Sequence, residues 1–131
     1  MAKAQLRKEL RFETADEKGV LAKVCEACSN AGVNIEAIAA YGQEGKGSFM
    51  LCTSDNAKAA EAMKALGYDA TESDVVMLEL ENAPGKMAEV AKKISDAGVN
   101  VKYVYASAVG AGPAFVVLNS EDNAKVVELL Q

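Results

Sequence analysis

A turn of four residues, Asn82-Ala83-Pro84-Gly85, has the composition of a ligand-binding loop at the start of a helix. The unpaired N–H groups of a helix N-terminus favour anions, a carboxylate in particular. Pro84 suits the first helical turn because it has no N–H, and Gly85 lets a ligand approach the backbone closely. The Asn82 amide has donors and an acceptor, so the turn could hold the amine and the carboxylate of one small molecule.

The cysteines are the second candidate for chemistry. Cys25-x-x-Cys28 has the spacing of a redox or metal-binding pair, and Cys52 stands apart from it. The chain has no histidine, which removes the commonest metal ligand and every catalytic triad that uses histidine. An odd number of cysteines without an export signal is typical of reduced thiols, so we expect a cytoplasmic protein.

Composition and charge narrow the functional classes further. Half of the 131 residues are hydrophobic and a quarter are charged, as in a soluble globular protein. The net charge of −5 argues against a nucleic-acid partner, and no apolar run approaches the roughly 18 residues of a membrane span. No cluster of titratable groups indicates catalysis, so we expect no catalytic residue, no metal and no cofactor.

An internal repeat organises the chain. At an offset of 66 residues it pairs Gly19 with Gly85, residues 31–34 with 97–100, Phe49 with Phe115, and Ser54 with Ser120. One inserted residue later, residues 56–58 match residues 123–125. A common register over so long a stretch indicates two copies of one folding unit.

Each copy has the element order β-α-β-β-α-β of ferredoxin-like folds. Alternating apolar residues predict the strands, and apolar residues at helical spacing predict the helices. The first helix of each copy ends at Gly32 or Gly98, where a C-terminal glycine is expected. The second copy stops at its second helix, so its fourth strand is missing. Either the residues before Leu10 fill that place or it stays an open edge.

The predicted fold is therefore α+β, with two ferredoxin-like βαββαβ repeats at residues 5–74 and 75–131. The repeats share one antiparallel sheet with helices on one face, and the second repeat lacks its last strand. Residues 115–118 are apolar on both faces of their strand, so the sheet needs cover on both sides. Helices cover one side, and we expect a second copy of the chain to cover the other in a homodimer.

At these residues the sequence resembles the ACT domain family of small regulatory amino-acid-binding modules. The family pattern is a strand, Asn-x-Pro-Gly, a helix and Gly-Val-Asn-Ile. The second repeat matches it with residues 82–85 and with Gly98-Val99-Asn100-Val101. The first repeat has a degraded Asp16-Glu17-Lys18-Gly19, followed by Gly32-Val33-Asn34-Ile35. The resemblance covers nearly the whole chain, as two repeats without an attached enzyme.

The resemblance also implies where ligands bind. ACT units pair side by side through their second strands, and ligands lie between the first loop of one unit and the second strand of the other. One implied site comprises Asn82, Ala83, Pro84, Gly85 and Lys86 together with Val33 and Asn34. The other comprises Asp16, Gly19 and Asn100. Negative charge at Asp16 and Glu17 would repel a carboxylate, so we expect the site at Asn82 to be the one that binds.

The asparagines and the glycine-rich loop have simpler interpretations. Asn82 could be only a helix N-cap, and Asn34 and Asn100 could simply end turns. Residues 42–48, GQEGKGS, hint at a phosphate loop, but a strand follows them where a phosphate loop needs a helix. We therefore predict a hairpin loop there.

The cysteines and two tyrosines also favour packing over chemistry. The repeat aligns the three cysteines with apolar residues, Ala91, Ile94 and Leu118. Because a buried free cysteine behaves as a small hydrophobe, core packing is the favoured interpretation. Tyr103 and Tyr105 share one strand face, which favours dimer or core packing over ligand stacking.

These observations predict a non-catalytic regulatory protein that binds a free amino acid. Ligand occupancy would reach a partner through the oligomer interface, by favouring one arrangement of the paired units. The alternative is the regulatory subunit of an amino-acid biosynthetic enzyme, acting mainly through contact with that partner enzyme. A ferredoxin-like enzyme is the least supported of the three.

Overall fold

A computed structural model describes residues 3–131 of the chain. Its elements, in chain order, are β1 (Lys3–Ala15), α1 (Val20–Asn30), β2 (Ile35–Gln43), β3 (Lys46–Thr53), α2 (Asn56–Ala65), β4 (Thr71–Leu80), α3 (Lys86–Asp96), β5 (Val101–Ser107), β6 (Ala114–Ser120) and α4 (Asn123–Leu130). The α+β class and the repeated order of elements are confirmed. Between residues 3 and 131, no helix is long and apolar enough to cross a membrane.

Two compact units divide the described chain. One comprises Lys8–Ser73, and the other comprises residues 3–7 together with Asp74–Gln131. β1 and β4 each cross a boundary, so these two strands contribute residues to both units. The sequence predicted a boundary between the repeats at residues 74 and 75. The structure has one continuous strand across that boundary, β4, and neither glycine nor proline interrupts it.

In the unit of Lys8–Ser73 the strand order is β2-β3-β1, with β4 next to β1. β3 is antiparallel to both neighbours and places Phe49 opposite Phe12. The Phe12 ring stacks on Phe49 and on Tyr68, with centroids 5.1 and 5.7 Å apart. Alternate strand residues form one core with α1 and α2, made of Leu10, Phe12, Val20, Val24, Cys28, Val33, Phe49, Leu51, Ala59 and Met63.

In the other unit the strand order is β1-β4-β6-β5. Residues 3–7 of β1 occupy the place of the strand that the second repeat lacks, so the N-terminal residues fill the gap. Gln131 Nε2 donates to the Ala4 carbonyl at 3.2 Å, and the Arg7 guanidinium lies 3.4 Å from Met77 Sδ. The core of this unit contains Val76, Leu78, Leu80, Val90, Ile94, Val99, Val116, Leu118, Val126 and Leu130.

The structure corrects the predicted alignment of the third strands. Phe49 is buried opposite Phe12, and the residue in the same place of β6 is Val116, opposite Leu78. Phe115 lies on the opposite strand face and is 58% exposed. The predicted equivalence of Phe49 and Phe115 is therefore wrong, because the inserted residue of the second repeat lies before β6 and not after it.

The strand ends show the same shift by one residue. The Thr53 hydroxyl donates to Asn56 Oδ1 at 2.6 Å, and the Ser120 hydroxyl donates to Asn123 Oδ1 at 2.8 Å. Ser120 is therefore the counterpart of Thr53, and the predicted match with Ser54 is wrong. By the same register, the counterpart of Cys52 is the polar Asn119, not Leu118.

Candidate functional site

The first helix of each repeat begins at a glycine and has no side-chain cap. Gly19 precedes α1 with φ of 84°, and Gly85 precedes α3 with φ of 87°, a left-handed conformation that glycine adopts without strain. By contrast, the carboxylates of Asp55 and Asp122 cap α2 and α4, each accepting a backbone N–H at 3.1 Å. Among residues 3–131, the first-turn N–H groups of α1 and α3 thus meet no side-chain acceptor. The Lys86 N–H donates to the Ala83 carbonyl, so in α3 the N–H groups of Met87 and Ala88 are the ones open to an anion.

Asn82 lies in the exposed turn between β4 and α3, but it does not cap α3. The N-cap residue is Gly85. Asn82 Nδ2 instead donates to the Gly110 carbonyl at 3.3 Å, in the loop between β5 and β6. The interpretation of Asn82 as only a helix cap is therefore wrong. Within the described chain its Oδ1 accepts no hydrogen bond, which leaves that oxygen available to a ligand.

The rest of this turn is compact, but the Lys86 side chain points away from it and contacts two glutamates. The Ala83 carbonyl accepts the Lys86 N–H at 3.3 Å. The Lys86 ammonium lies 3.4 Å from Glu81 Oε2 and 3.8 Å from Glu89 Oε1. It lines a pocket of about 270 Å³ whose other walls are Leu80, Glu81, Glu89, Val90, Lys93, Leu130 and Gln131. The structure thus gathers residues 82–85 in one turn, while the Lys86 side chain faces the end of α4.

Asn34 and Asn100 have fixed backbones and exposed side chains. The Asn34 N–H donates to Ser54 Oγ, and its carbonyl accepts the Ser54 N–H, both at 2.9 Å. Asn100 makes the same exchange with Glu121, through Oε1 and the backbone N–H, both at 3.0 Å. In the part of the chain that the structure describes, neither side-chain amide makes a hydrogen bond, so each is available to a ligand.

Asn34 lies in a shallow pocket of about 430 Å³, lined also by Cys25, Ser29, Gly32, Val33 and Ile35. The Val33 side chain is buried in the core, so only its backbone could reach a ligand. Cys25 and Ser29 lie one helical turn apart on α1. Sequence reasoning did not select them for the site, although their spacing places both on one helix face.

The loop before α1 carries a carboxylate where the second repeat has Asn82. The Asp16 N–H donates to the Gly45 carbonyl at 3.4 Å. The Asp16 carboxylate covers Gly42, since a Cβ built on Gly42 would lie 2.7 Å from Oδ2. Glu44 and Gly45, with φ of 53° and 80°, form the tight turn between β2 and β3, which confirms the predicted hairpin. A carboxylate at Asp16 would repel that of a ligand.

All three cysteines are free thiols. Cys28 and Cys52 are buried, which confirms core packing for both, whereas Cys25 is half-buried. Burial, and then the nearby Cys25, raise the pKa of the Cys28 thiol. Among residues 3–131, no group of three His, Cys, Asp or Glu side chains could hold a metal ion.

Comparison with known families decides what these repeats are. The family model of the ACT domain pair matches residues 8–131. The chain belongs to the ACT domain pair family. This ACT pair has no significant match among curated proteins.

Solved structures similar to this ACT pair include a protein from Bacteroides thetaiotaomicron. It has a TM-score of 0.88 and 28% identity, and the alignment covers 98% of this chain and 88% of that one. The ligand-free regulatory subunit of aspartate kinase from Thermus thermophilus has a TM-score of 0.68 and 16% identity, with 97% and 93% coverage. The corresponding subunit from Thermus flavus has a TM-score of 0.65 and 17% identity, with 98% and 94% coverage. The two kinase subunits share the fold of this ACT pair.

Proposed function

We propose that this ACT pair is a non-catalytic regulatory protein that binds a free amino acid at the Asn82 turn. The observation that carries the proposal is the contrast between the helix starts. Asp55 and Asp122 cap α2 and α4, whereas α3 follows Gly85, which has no side chain to cap the N–H groups of Met87 and Ala88. In the same turn, Asn82 Oδ1 accepts no hydrogen bond within the described chain. The carboxylate of an amino acid suits those N–H groups, and its ammonium suits the Asn82 oxygen.

The family pattern supports a site built from two ACT units. The Asn82 turn, comprising Ala83, Pro84 and Gly85 as well, would hold the polar end of the ligand. The start of a second strand, at Val33 and Asn34, would form the other wall. The loop with Asp16 and Gly19, facing Asn100, would not bind a carboxylate, because Asp16 is itself an anion.

A second candidate is the regulatory subunit of an amino-acid biosynthetic enzyme. Its support is the fold shared with the regulatory subunits of aspartate kinase, together with Phe115, which is 58% exposed on a strand face. A large exposed aromatic side chain is suited to a protein contact. Loss of a stable complex with such an enzyme on Phe115→Ser would support this candidate.

A thermal-shift panel of the twenty amino acids tests the proposed function. A ligand at 100 times its dissociation constant adds about 2.7 kcal/mol to the free energy of unfolding, which should raise the melting temperature by several degrees. We expect Asn82→Ala to abolish the shift and Asp16→Ala to keep it. The proposal would be contradicted if none of the twenty amino acids raised the melting temperature, or if the shift were unchanged in Asn82→Ala.

A further inference from the structure

The loop between β5 and β6, residues 108–113, contacts the Asn82 turn. Asn82 Nδ2 donates to the Gly110 carbonyl at 3.3 Å, which brings the preceding residue, Val109, close to the turn. The Val109 side chain is 83% exposed. Because an exposed apolar side chain gains free energy when a ligand covers it, Val109 is suited to contact the apolar part of a bound molecule.

The charge of this turn and loop differs between the two repeats. At the repeat offset of 66 residues, the Asn82 turn corresponds to residues 16–19, and residues 108–113 correspond to residues 42–47. The two segments of the first repeat contain five charged residues, which are Asp16, Glu17, Lys18, Glu44 and Lys46. The two segments of the second repeat contain none. The second repeat has therefore lost every charge at the place where its turn has an asparagine.

The two segments meet in both repeats, so the difference between the repeats is chemical. In the first repeat the Asp16 N–H donates to the Gly45 carbonyl at 3.4 Å. In the second repeat the Asn82 side chain makes the corresponding contact with Gly110. A ligand at the first turn would therefore meet charged side chains from both segments. A ligand at the second turn would meet one polar amide and, around it, apolar or glycine residues.

We propose that the Asn82 turn selects amino acids with an apolar side chain, and that Val109 determines this specificity. The inference rests on the proposed function, in which the turn holds the ammonium and carboxylate groups of the ligand. The side chain of the ligand then lies against Val109. A charged side chain would lose its hydration there and meet no opposite charge in residues 82–85 or 108–113. Lys86, which follows the turn, is already in contact with two glutamates.

Isothermal titration calorimetry with single amino acids tests the class of ligand. We expect the tightest binder among leucine, isoleucine and valine to bind at least about tenfold more tightly than aspartate, lysine or serine. If the preferred amino acid had a charged or hydroxyl side chain and still required Asn82, this inference would be overturned and the proposed function would stand. If no amino acid bound, both would be overturned.

Val109→Ser tests the residue itself. We expect the affinity for the preferred aliphatic amino acid to fall about fivefold to tenfold, because an apolar contact is lost. The affinity for alanine, whose side chain is a single methyl group, should change by less than about twofold. Because Val109 is exposed, the melting temperature without ligand should stay that of the wild type.

Gln43→Ser is the matched control, because Gln43 is the exposed residue that corresponds to Val109 in the first repeat. It should leave both affinities unchanged. Equal losses for alanine and for the aliphatic amino acid in Val109→Ser would indicate a general disturbance of the turn and would overturn the role of Val109. An unchanged affinity for the aliphatic amino acid would overturn it as well.

Discussion

Gly42 and Asp16 lie so close together that a Cβ on the glycine would come within 2.7 Å of the carboxylate. A second close approach in the same hairpin joins Gly47 to Thr14, with a corresponding distance of 2.5 Å to Oγ1. The Asp16 side chain is exposed and can rotate away. Thr14 is buried, and its hydroxyl donates to the Ala15 carbonyl at 2.8 Å. The hairpin should therefore tolerate a methyl group at the first glycine and not at the second.

We expect Gly47→Ala to lower the free energy of unfolding by about 1–3 kcal/mol, because the buried Thr14 cannot move aside. The matched change Gly42→Ala should alter it by less than about 0.5 kcal/mol. Urea denaturation of both variants measures the difference. Equal losses would show that Asp16 is held as firmly as Thr14.

The register of the third strands gives a second matched pair. Phe49→Ala should lower the free energy of unfolding by about 3–5 kcal/mol, because it empties a core position whose ring stacks on Phe12. Phe115→Ala should cost less than about 0.5 kcal/mol, because its side chain is exposed. Similar losses in urea denaturation would contradict the register in which Val116 replaces Phe49.

The register of β6 could not be predicted from the sequence, for a physical reason. Residues 115–118 are apolar at every position, so the two-residue period that assigns strand faces is absent. Matching one Phe to the other then placed the insertion on the wrong side of β6. The helix ends at Gly32 and Gly98 could be predicted, because each glycine adopts its left-handed conformation within its own turn, with φ of 74° and 75°. The start of α3 was predicted wrongly, because Gly85 is the N-cap and Pro84 therefore lies before the helix and not in its first turn.

For the candidate site, too, the local motif could be predicted from the sequence and the long-range contacts could not. The Asn82 turn is a local motif, and its residues lie together as expected. The bond from Asn82 to Gly110 joins residues that are 28 apart, through an approach of two loops that no local pattern specifies. The place of residues 3–7 beside β4 is likewise a long-range pairing, which the sequence left open between two alternatives.

Substitutions of the capping residues Asp55 and Asp122 should affect stability, whereas substitution of Asn82 should affect ligand binding and leave stability nearly unchanged. Asp55→Ala and Asp122→Ala should each lower the free energy of unfolding by about 1 kcal/mol, because each removes an N-cap. Asn82→Ala should lower it by less than about 0.5 kcal/mol, because Asn82 caps nothing and its bond to Gly110 is exposed. Chemical denaturation of the three variants tests this order. A loss at Asn82 as large as at Asp55 would assign it a structural role.

The thiols should differ in reactivity. Alkylation requires the thiolate, and the raised pKa of Cys28 makes its thiolate scarcer at any given pH below that pKa. We expect iodoacetamide to modify Cys25 first and to modify Cys28 and Cys52 only when the protein unfolds. Peptide mass spectrometry over time gives the order. Early labelling of Cys28 in the folded protein would contradict its buried position.

β1 and β4 each contribute residues to both units. This sharing affects how a gene duplication could give rise to a stable protein. A product of the second repeat alone would lack residues 3–7, and its open strand position could be filled only by another molecule. Such a single repeat would fold as a partner-dependent species whose stability falls with dilution. Fusion of the two copies supplies the missing strand at a high effective concentration within one chain. The segment that was duplicated is therefore not the segment that folds.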